Sequence, residues 1–253
     1  SYADDTVTLS ADGTYVVSLG PNRLEVWRSD LVRTLEYGYV DAPVNPHSQP
    51  RSGCALNSAV SSASRVAVLE RCPGDDGDRL TVLDPAPEDP TKPEEKGSTV
   101  LTGIDGARVL ATAGERVLVY LPEAAAQTPR LVVYDSTTTI VAEYGLNNPL
   151  PADATVADAG ASTLLWTGNS VIALREADFS PEWTAADALG PGATMGGRIL
   201  VPVTGAIAVL DVTTGQEVRR IPADRGVVSG PIRTAVLGGT VVEQRGSEVV
   251  ALS

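Results

Sequence analysis

The sequence predicts an all-β chain, a β-propeller of about six blades, each of four antiparallel strands. Three observations predict it. A short apolar strand recurs six times along the 253 residues, at spacings of about 35 to 56 residues. Each copy follows a second apolar strand across a turn rich in Gly, Asn or Asp, and helical periodicity is nearly absent. Sheets apolar on both faces cannot stand alone and bury themselves by stacking on neighbours, which is the logic of propeller blades.

The recurring strand is read as the third of each blade. Its copies are Arg23–Trp27, Arg79–Leu83, Arg130–Tyr134, Ser170–Leu174, Ala206–Leu210 and Glu248–Leu252. The strands before them are Tyr15–Leu19, Arg65–Leu69, Arg116–Tyr120, Thr163–Trp166, Ile199–Val203 and Thr240–Glu243. The turns between, such as Gly20-Pro21-Asn22, Gly74 to Asp78, Gly168-Asn169, Thr204-Gly205 and Arg245-Gly246, supply the positive φ that tight hairpins need. A polar turn and an outer strand with one wet face come next, clearest in Asp211–Gly215 followed by Gln216–Ile221. Arg33–Gly38 and Val141–Gly145 resemble each other as further outer strands. The best helical candidate is the short stretch Glu182–Leu189.

Two segments break the period. Asp41–Ser52 is rich in proline and polar residues and reads as a surface loop. Pro85–Ser98 is so rich in proline and charge that a mobile solvated loop is expected there and a packed strand is not. The last unit stops after its third strand, so either Ser1–Asp5 or residues upstream of Ser1 are expected to complete it. Upstream blades would bring the total to seven or eight. Residues 1–253 read as one domain.

Composition removes several functions. The net charge of −13 opposes nucleic-acid binding and contact with an anionic bilayer, leaving an upstream anchor as the expected means of membrane attachment. Aromatic residues make up 4% of the chain, with Phe179 the single phenylalanine, so the core must come from Val, Leu, Ile and Ala. Cys54 and Cys72 are the two cysteines, on either side of two adjacent predicted strands. Such a pair reads as a structural disulfide in an oxidising compartment, against the bland alternative of two buried thiols. No stretch approaches the roughly 20 apolar residues of a spanning helix, and any export signal or anchor is expected upstream of Ser1.

No catalytic, cofactor or metal site is identified. His47 is the only histidine and sits in a proline-rich loop, with no G-x-S-x-G elbow to pair with it. Thiolate zinc would need more ligands, and no phosphate-cradling glycine loop opens a helix. Asp75, Asp76 and Asp78 could hold Ca²⁺, but they lack the D-x-D-x-D-G spacing and suit a hairpin tip. A glycosidase needs only two inward carboxylates, so inventory alone leaves that reading open.

The phrase Val209-Leu210-Asp211-Val212-Thr213-Thr214-Gly215 resembles the A-x-D-x-x-T-G repeat of quinoprotein-like (PQQ-like) propellers, with Thr81–Asp84 and Val132–Asp135 as weaker echoes. In that family the Asp and the Thr-Gly turn join the third strand to the outer one. The resemblance implies fold. The family's enzymes carry adjacent cysteines in a disulfide, Ca²⁺-binding carboxylates and a tryptophan late in each blade. Here the cysteines are far apart, and Trp27, Trp166 and Trp183 occupy non-equivalent positions.

Val26–Leu31, Pro50–Cys54 and Arg71–Asp75 also resemble membrane-anchored propeller proteins of the actinobacterial cell envelope. That resemblance implies an extracytoplasmic domain behind an N-terminal membrane helix. The leading expectation is therefore a non-enzymatic interaction or assembly module of a membrane or envelope complex. The second is a propeller that binds a cell-wall glycan or lipid, with Trp166 or Trp183 as the aromatic lining, and the third is a glycan-cleaving enzyme.

Overall fold

The computed structural model describes residues 7–41, 45, 47–124, 127–226, 228 and 230–252. The chain divides into two compact units, Ser1–Pro149 and Leu150–Ser253. Ser1–Asp5, expected to be one means of completing the last blade, lie outside the described residues.

The first unit contains three four-stranded antiparallel meanders. Blade 1 is β1 (Thr8–Ala11), β2 (Tyr15–Leu19), β3 (Arg23–Arg28) and β4 (Arg33–Gly38). Blade 2 is β5 (Ala55–Ser62), β6 (Arg65–Arg71), β7 (Gly77–Leu83) and β8 (Glu95–Thr102). Blade 3 is β9 (Arg108–Ala113), β10 (Arg116–Leu121), β11 (Arg130–Asp135) and β12 (Ile140–Gly145).

The second unit has two more such sheets and one of three strands. Blade 4 is β13 (Thr155–Asp158), β14 (Ser162–Trp166), β15 (Ser170–Arg175) and β16 (Pro181–Ala186). Blade 5 is β17 (Ala193–Met195), β18 (Arg198–Val203), β19 (Ala206–Asp211) and β20 (Glu217–Pro222). Blade 6 is β21 (Arg233–Leu237), β22 (Thr240–Arg245) and β23 (Glu248–Leu252).

All six copies of the recurring strand are third strands, and the strands before them are second strands. In blades 2 to 5 the second and third strands are nearly continuous apolar runs because both of their faces are largely covered, whereas β22 and β23 of blade 6 are largely half-buried or exposed. In β6 only the terminal Arg71 escapes full burial, and in β10 only Arg116. One apolar cluster joins blades 1 and 2 through Val17, Leu24, Leu35, Val66 and Leu83. Another joins blades 2 and 3 through Leu80, Leu101, Val117 and Val132, and a third joins blades 4 and 5 through Leu164, Val171, Val201 and Leu210. A smaller one joins blades 5 and 6 around Ile207 and Val241. The low aromatic content is thereby accommodated by aliphatic packing between sheets.

The third-to-fourth-strand pairing shifts register at the same place in all five four-stranded blades. The shifts fall at Val26/Trp27, Val82/Leu83, Val133/Tyr134, Ala173/Leu174 and Val209/Leu210. Such a bulge sharpens the local twist of the outer strand.

In blades 1, 2 and 4 the fourth strand meets the following blade of the same unit. Thr34 Oγ1 donates 2.7 Å to the Pro85 carbonyl, and the Glu36 N–H donates 2.9 Å to that of Pro90. Gly97 lies so close to blade 3 that an added Cβ would stand 2.5 Å from the Thr137 carbonyl carbon. Trp183 Nε1 donates 3.0 Å to the Val212 carbonyl, and its ring covers Gly215, where a Cβ would lie 2.5 Å from it.

Two expectations fail. Glu182–Leu189 is not helical: Pro181–Ala186 is β16, paired to β15, and Ala188 then bridges to Val203. Its half-buried Trp183 and Ala185 alternate with exposed Glu182, Thr184 and Ala186, the period of a strand with one wet face. Pro85–Ser98 does not exclude a strand either, because Glu95–Ser98 opens β8. Its proline-rich part is tied down: Asn45 Nδ2 donates to Thr91 Oγ1 (2.7 Å) and Asp89 (3.1 Å), and Gln49 Nε2 donates to the Thr91 carbonyl (3.2 Å). The two period-breaking segments hold each other. Among the described residues, no helix is long and apolar enough to cross a membrane.

Candidate functional site

Cys54 and Cys72 are joined in a disulfide across the two ends of the β5–β6 hairpin, 18 residues apart in sequence. Ala55 opens β5 opposite Arg71, which closes β6, so the sheet register itself brings the two cysteines face to face. Both sulfurs lie within 4.8 Å of a carboxylate oxygen of Glu70. Oxidised sulfurs are not thiolates, so this trio is not a metal donor set as it stands.

Glu70 is the centre of a polar network that the sequence reading missed. It is 0% exposed. Tyr37 on β4 donates its hydroxyl to both carboxylate oxygens at 2.8 and 3.0 Å, and Thr81 Oγ1 on β7 donates at 2.6 Å. Arg51 brings its guanidinium to 3.4 Å and also pairs with Glu95 at 3.1 Å. Burial pushes the Glu70 carboxyl above the usual range, more strongly than the Thr81 and Tyr37 hydrogen bonds and the Arg51 charge pull it down. Burial, followed by the neighbouring Glu70 charge, drives the Tyr37 phenol up as well. The network ties blade 1 to blade 2.

Glu243 on β22 is the second carboxylate with no exposure. Arg225 grips it through Nε and Nη2 at 2.6 to 3.1 Å while its Nη1 donates to the Val203 and Ala206 carbonyls, each at 2.7 Å. Arg245 adds a further hydrogen bond at 2.9 Å. Burial pushes this carboxyl up, but the hydrogen bonds from Arg225 and Arg245, with their charges, outweigh it and hold Glu243 below its ordinary value. The cluster clamps blade 6 to blade 5. Neither Glu70 nor Glu243 meets solvent, so neither can hand a proton to a bound sugar.

The remaining candidates are spent on structure. Asp75 is paired bidentately with Arg79 at 2.8 Å, and Asp78, buried at the start of β7, accepts the Ala107 N–H at 2.9 Å. Asp76 contributes its carbonyl to the Gly103 N–H. The three acids do not converge on a common point. His47 is exposed, with φ +62° in its loop. Trp166 is buried and donates to the Ala188 carbonyl at 2.8 Å, and Trp183 is the inter-blade contact already described, so both indoles belong to the packing.

Apolar side chains are exposed instead at a repeated place, the approach to the fourth strand. Leu31 (76%) and Val32 (48%) stand there in blade 1, Ile140 (50%) and Val141 (44%) in blade 3, and Val218 (54%) in blade 5. Val141 and Val218 are the residues that the bulges leave unpaired.

No protein-family model matches the chain, and no curated protein matches it. Among solved structures it is similar to the WD40 domain of SCAP from fission yeast, with a TM-score of 0.50, 11% identity, 94% of this chain covered and 61% of that one. The fold is a β-propeller. BamB from Moraxella catarrhalis is also similar, with a TM-score of 0.48, 15% identity and coverage of 96% and 70%. A protein of unknown function from Bacteroides caccae follows at 0.44, 14%, 94% and 85%. At such identities the likeness is one of fold and carries no activity across.

Proposed function

We propose that this propeller is a non-catalytic interaction module of a membrane or cell-envelope complex, acting outside the cytoplasm. The observation that carries the reading is the exposed apolar set at the approach to the fourth strand in blades 1, 3 and 5. Adjacent exposed pairs such as Leu31–Val32 and Ile140–Val141 cost solubility unless a partner covers them. The buried charges, by contrast, are consumed in holding blades together.

The disulfide supports an oxidising compartment. The Asp211–Gly215 turn supports quinoprotein-like kinship: Asp211 Oδ1 accepts the Thr213 and Thr214 N–H groups at 3.1 and 3.2 Å, closing the turn that Trp183 covers. In this reading the membrane tether is the one that the resemblance to anchored envelope proteins implies. The glycan- or lipid-binding alternative loses Trp166 and Trp183 as its aromatic lining.

The test is affinity capture with crosslinking from detergent-solubilised membranes of the source cells, using the wild type beside Ile140→Ser/Val141→Ser and Leu31→Ser/Val32→Ser. A specific protein retained by the wild type and lost from at least one folded variant is the expected result. Recovery of no protein, or equal recovery by every variant, overturns the reading.

A further inference from the structure

The repeat allows the blade junctions inside each unit to be compared, residue by residue. Opposite the second residue of each copy of the recurring strand, Leu24, Leu80, Leu131, Val171 or Ile207, the fourth strand carries Tyr37, Thr99, Tyr144, Ala185 or Ile221. At the first junction Tyr37 points into blade 2 and bonds to Glu70, which also accepts from Thr81. The register places Val203 where blade 2 has Glu70, since each follows the residue paired across to the reference position. It places Ala208 where blade 2 has Thr81 by the same rule.

The junction of blades 4 and 5 therefore has Ala185, Val203 and Ala208 where the first junction has a tyrosine, a glutamate and a threonine. The volume of the missing phenol is not taken up by the neighbours. A cavity of about 350 Å³ remains, lined by Ala185, Val203, Ala208 and Leu210. Trp183 covers Gly215 at one end of the cavity, and Ala188 bridges to Val203, another of its lining residues. Its mouth carries Asp187, Glu217 and Arg220, with Arg220 already paired to Glu217 at 2.6 Å.

We infer that this cavity receives an aromatic side chain of a partner protein, presented next to a basic residue. The occupant's shape follows from the first junction, where the same position is filled by an aromatic ring from the chain itself. The aromatic ring meets an apolar floor, because the Val203 and Ala208 side chains offer no hydrogen bond where Glu70 and Thr81 do, while the rest of the lining is mostly polar. The size is ample: roughly 150 Å³ of apolar cavity suffices for benzene, and ligand pockets begin near about 300 Å³. The basic neighbour follows from the mouth, which keeps a net negative charge after Arg220 and Glu217 cancel, on a chain of net charge −13. This inference rests on the interaction reading and names one of its contacts.

The experiment uses the full chain and three capped peptides, acetyl-Lys-Phe-Lys-amide, acetyl-Lys-Ala-Lys-amide and acetyl-Glu-Phe-Glu-amide, followed by methyl NMR and titration. The first is expected to shift the Ala185, Val203 and Ala208 methyl signals and to bind at least tenfold more tightly than either of the others. Ala185→Phe fills the cavity as Tyr37 fills its counterpart and is expected to abolish those shifts while thermal unfolding stays within a few degrees of wild type. Ala208→Val, which fills from the opposite wall, serves if Ala185→Phe fails to fold. Asp187→Asn is expected to weaken the Lys-Phe-Lys peptide about threefold and leave the Glu-Phe-Glu peptide no weaker. Equal binding of the Phe and Ala peptides, no binding at all, or wild-type binding by a folded cavity-filling variant overturns the inference. If membrane capture still yields a specific partner in those cases, the interaction reading stands and the pocket alone falls.

Discussion

Glu70 and Glu243 are both carboxylates without exposure, and their environments push them in opposite directions. Glu70 is held mainly by hydroxyl donors, and removing it leaves the buried Tyr37 hydroxyl without its acceptor and Thr81 with Ser98 alone. Glu70→Ala is expected to lower the unfolding free energy by about 3 kcal/mol and Tyr37→Phe by about 1 kcal/mol, measured by urea denaturation. The pH dependence separates the two sites. Glu243 is held low, so its contribution is complete above the ordinary glutamate range and is lost as pH falls through its folded value. Glu70 is held high, so its contribution is complete below the ordinary range and is lost as pH rises through its own folded value. The stability gap between wild type and Glu243→Gln is therefore expected to narrow in acid, and that between wild type and Glu70→Gln to widen, in urea titrations run from neutral pH downward. A gap for Glu243→Gln that grows in acid would contradict the assignment.

At the scale of elements, the fourth strands of blades 1, 2 and 4 lock them to the following blade of the same unit, and a bulge shapes each of these strands. Gly215 has φ +66° beneath the Trp183 ring, so Gly215→Ala meets both left-handed strain and a clash. A loss of about 2 to 3 kcal/mol is expected. In the Trp183→Ala background the same glycine change should cost clearly less, because only the backbone strain remains, and a double-mutant cycle reads the difference. The disulfide closes a loop of 18 residues, and Cys54→Ser/Cys72→Ser is expected to cost about 3 kcal/mol by chain-entropy reasoning. The central strands were legible in sequence because burial on both faces forces continuous runs such as Arg116–Leu121 and Arg65–Leu69. First strands such as Thr8–Ala11 and Ala193–Met195 were not legible, being short and largely exposed. β8 and β16 were hidden for another reason: Glu95-Lys96-Gly97 and Glu182-Trp183-Thr184-Ala185 have loop-like or helix-like composition, and only their pairing makes them strands. Glu70 was hidden because its principal partner, Tyr37, is 33 residues away, and the pocket because it consists of a side chain that Ala185 does not have.

At the scale of the whole molecule, the arginines are largely engaged with acids on their own chain, and an excess of 13 negative charges remains. Such an excess does not hold a fold together, but it acts on anything approaching through solvent. A partner presenting basic residues to the rim of Asp187 would be drawn in over distances of about a Debye length, roughly 10 Å at 0.1 M salt. The apolar contacts at Ile140, Val141 and the Ala185 cavity act only after collision and are nearly indifferent to salt. Raising ionic strength from about 0.05 to 0.5 M is therefore expected to slow association with the captured partner by tenfold or more while the dissociation rate changes less than about threefold, read by surface plasmon resonance. Asp187→Asn should reduce the salt dependence of association, whereas Ala185→Phe should leave that dependence intact and accelerate dissociation. An association rate indifferent to salt would mean that the partner is not basic, and the acidic rim would then have no part in choosing it.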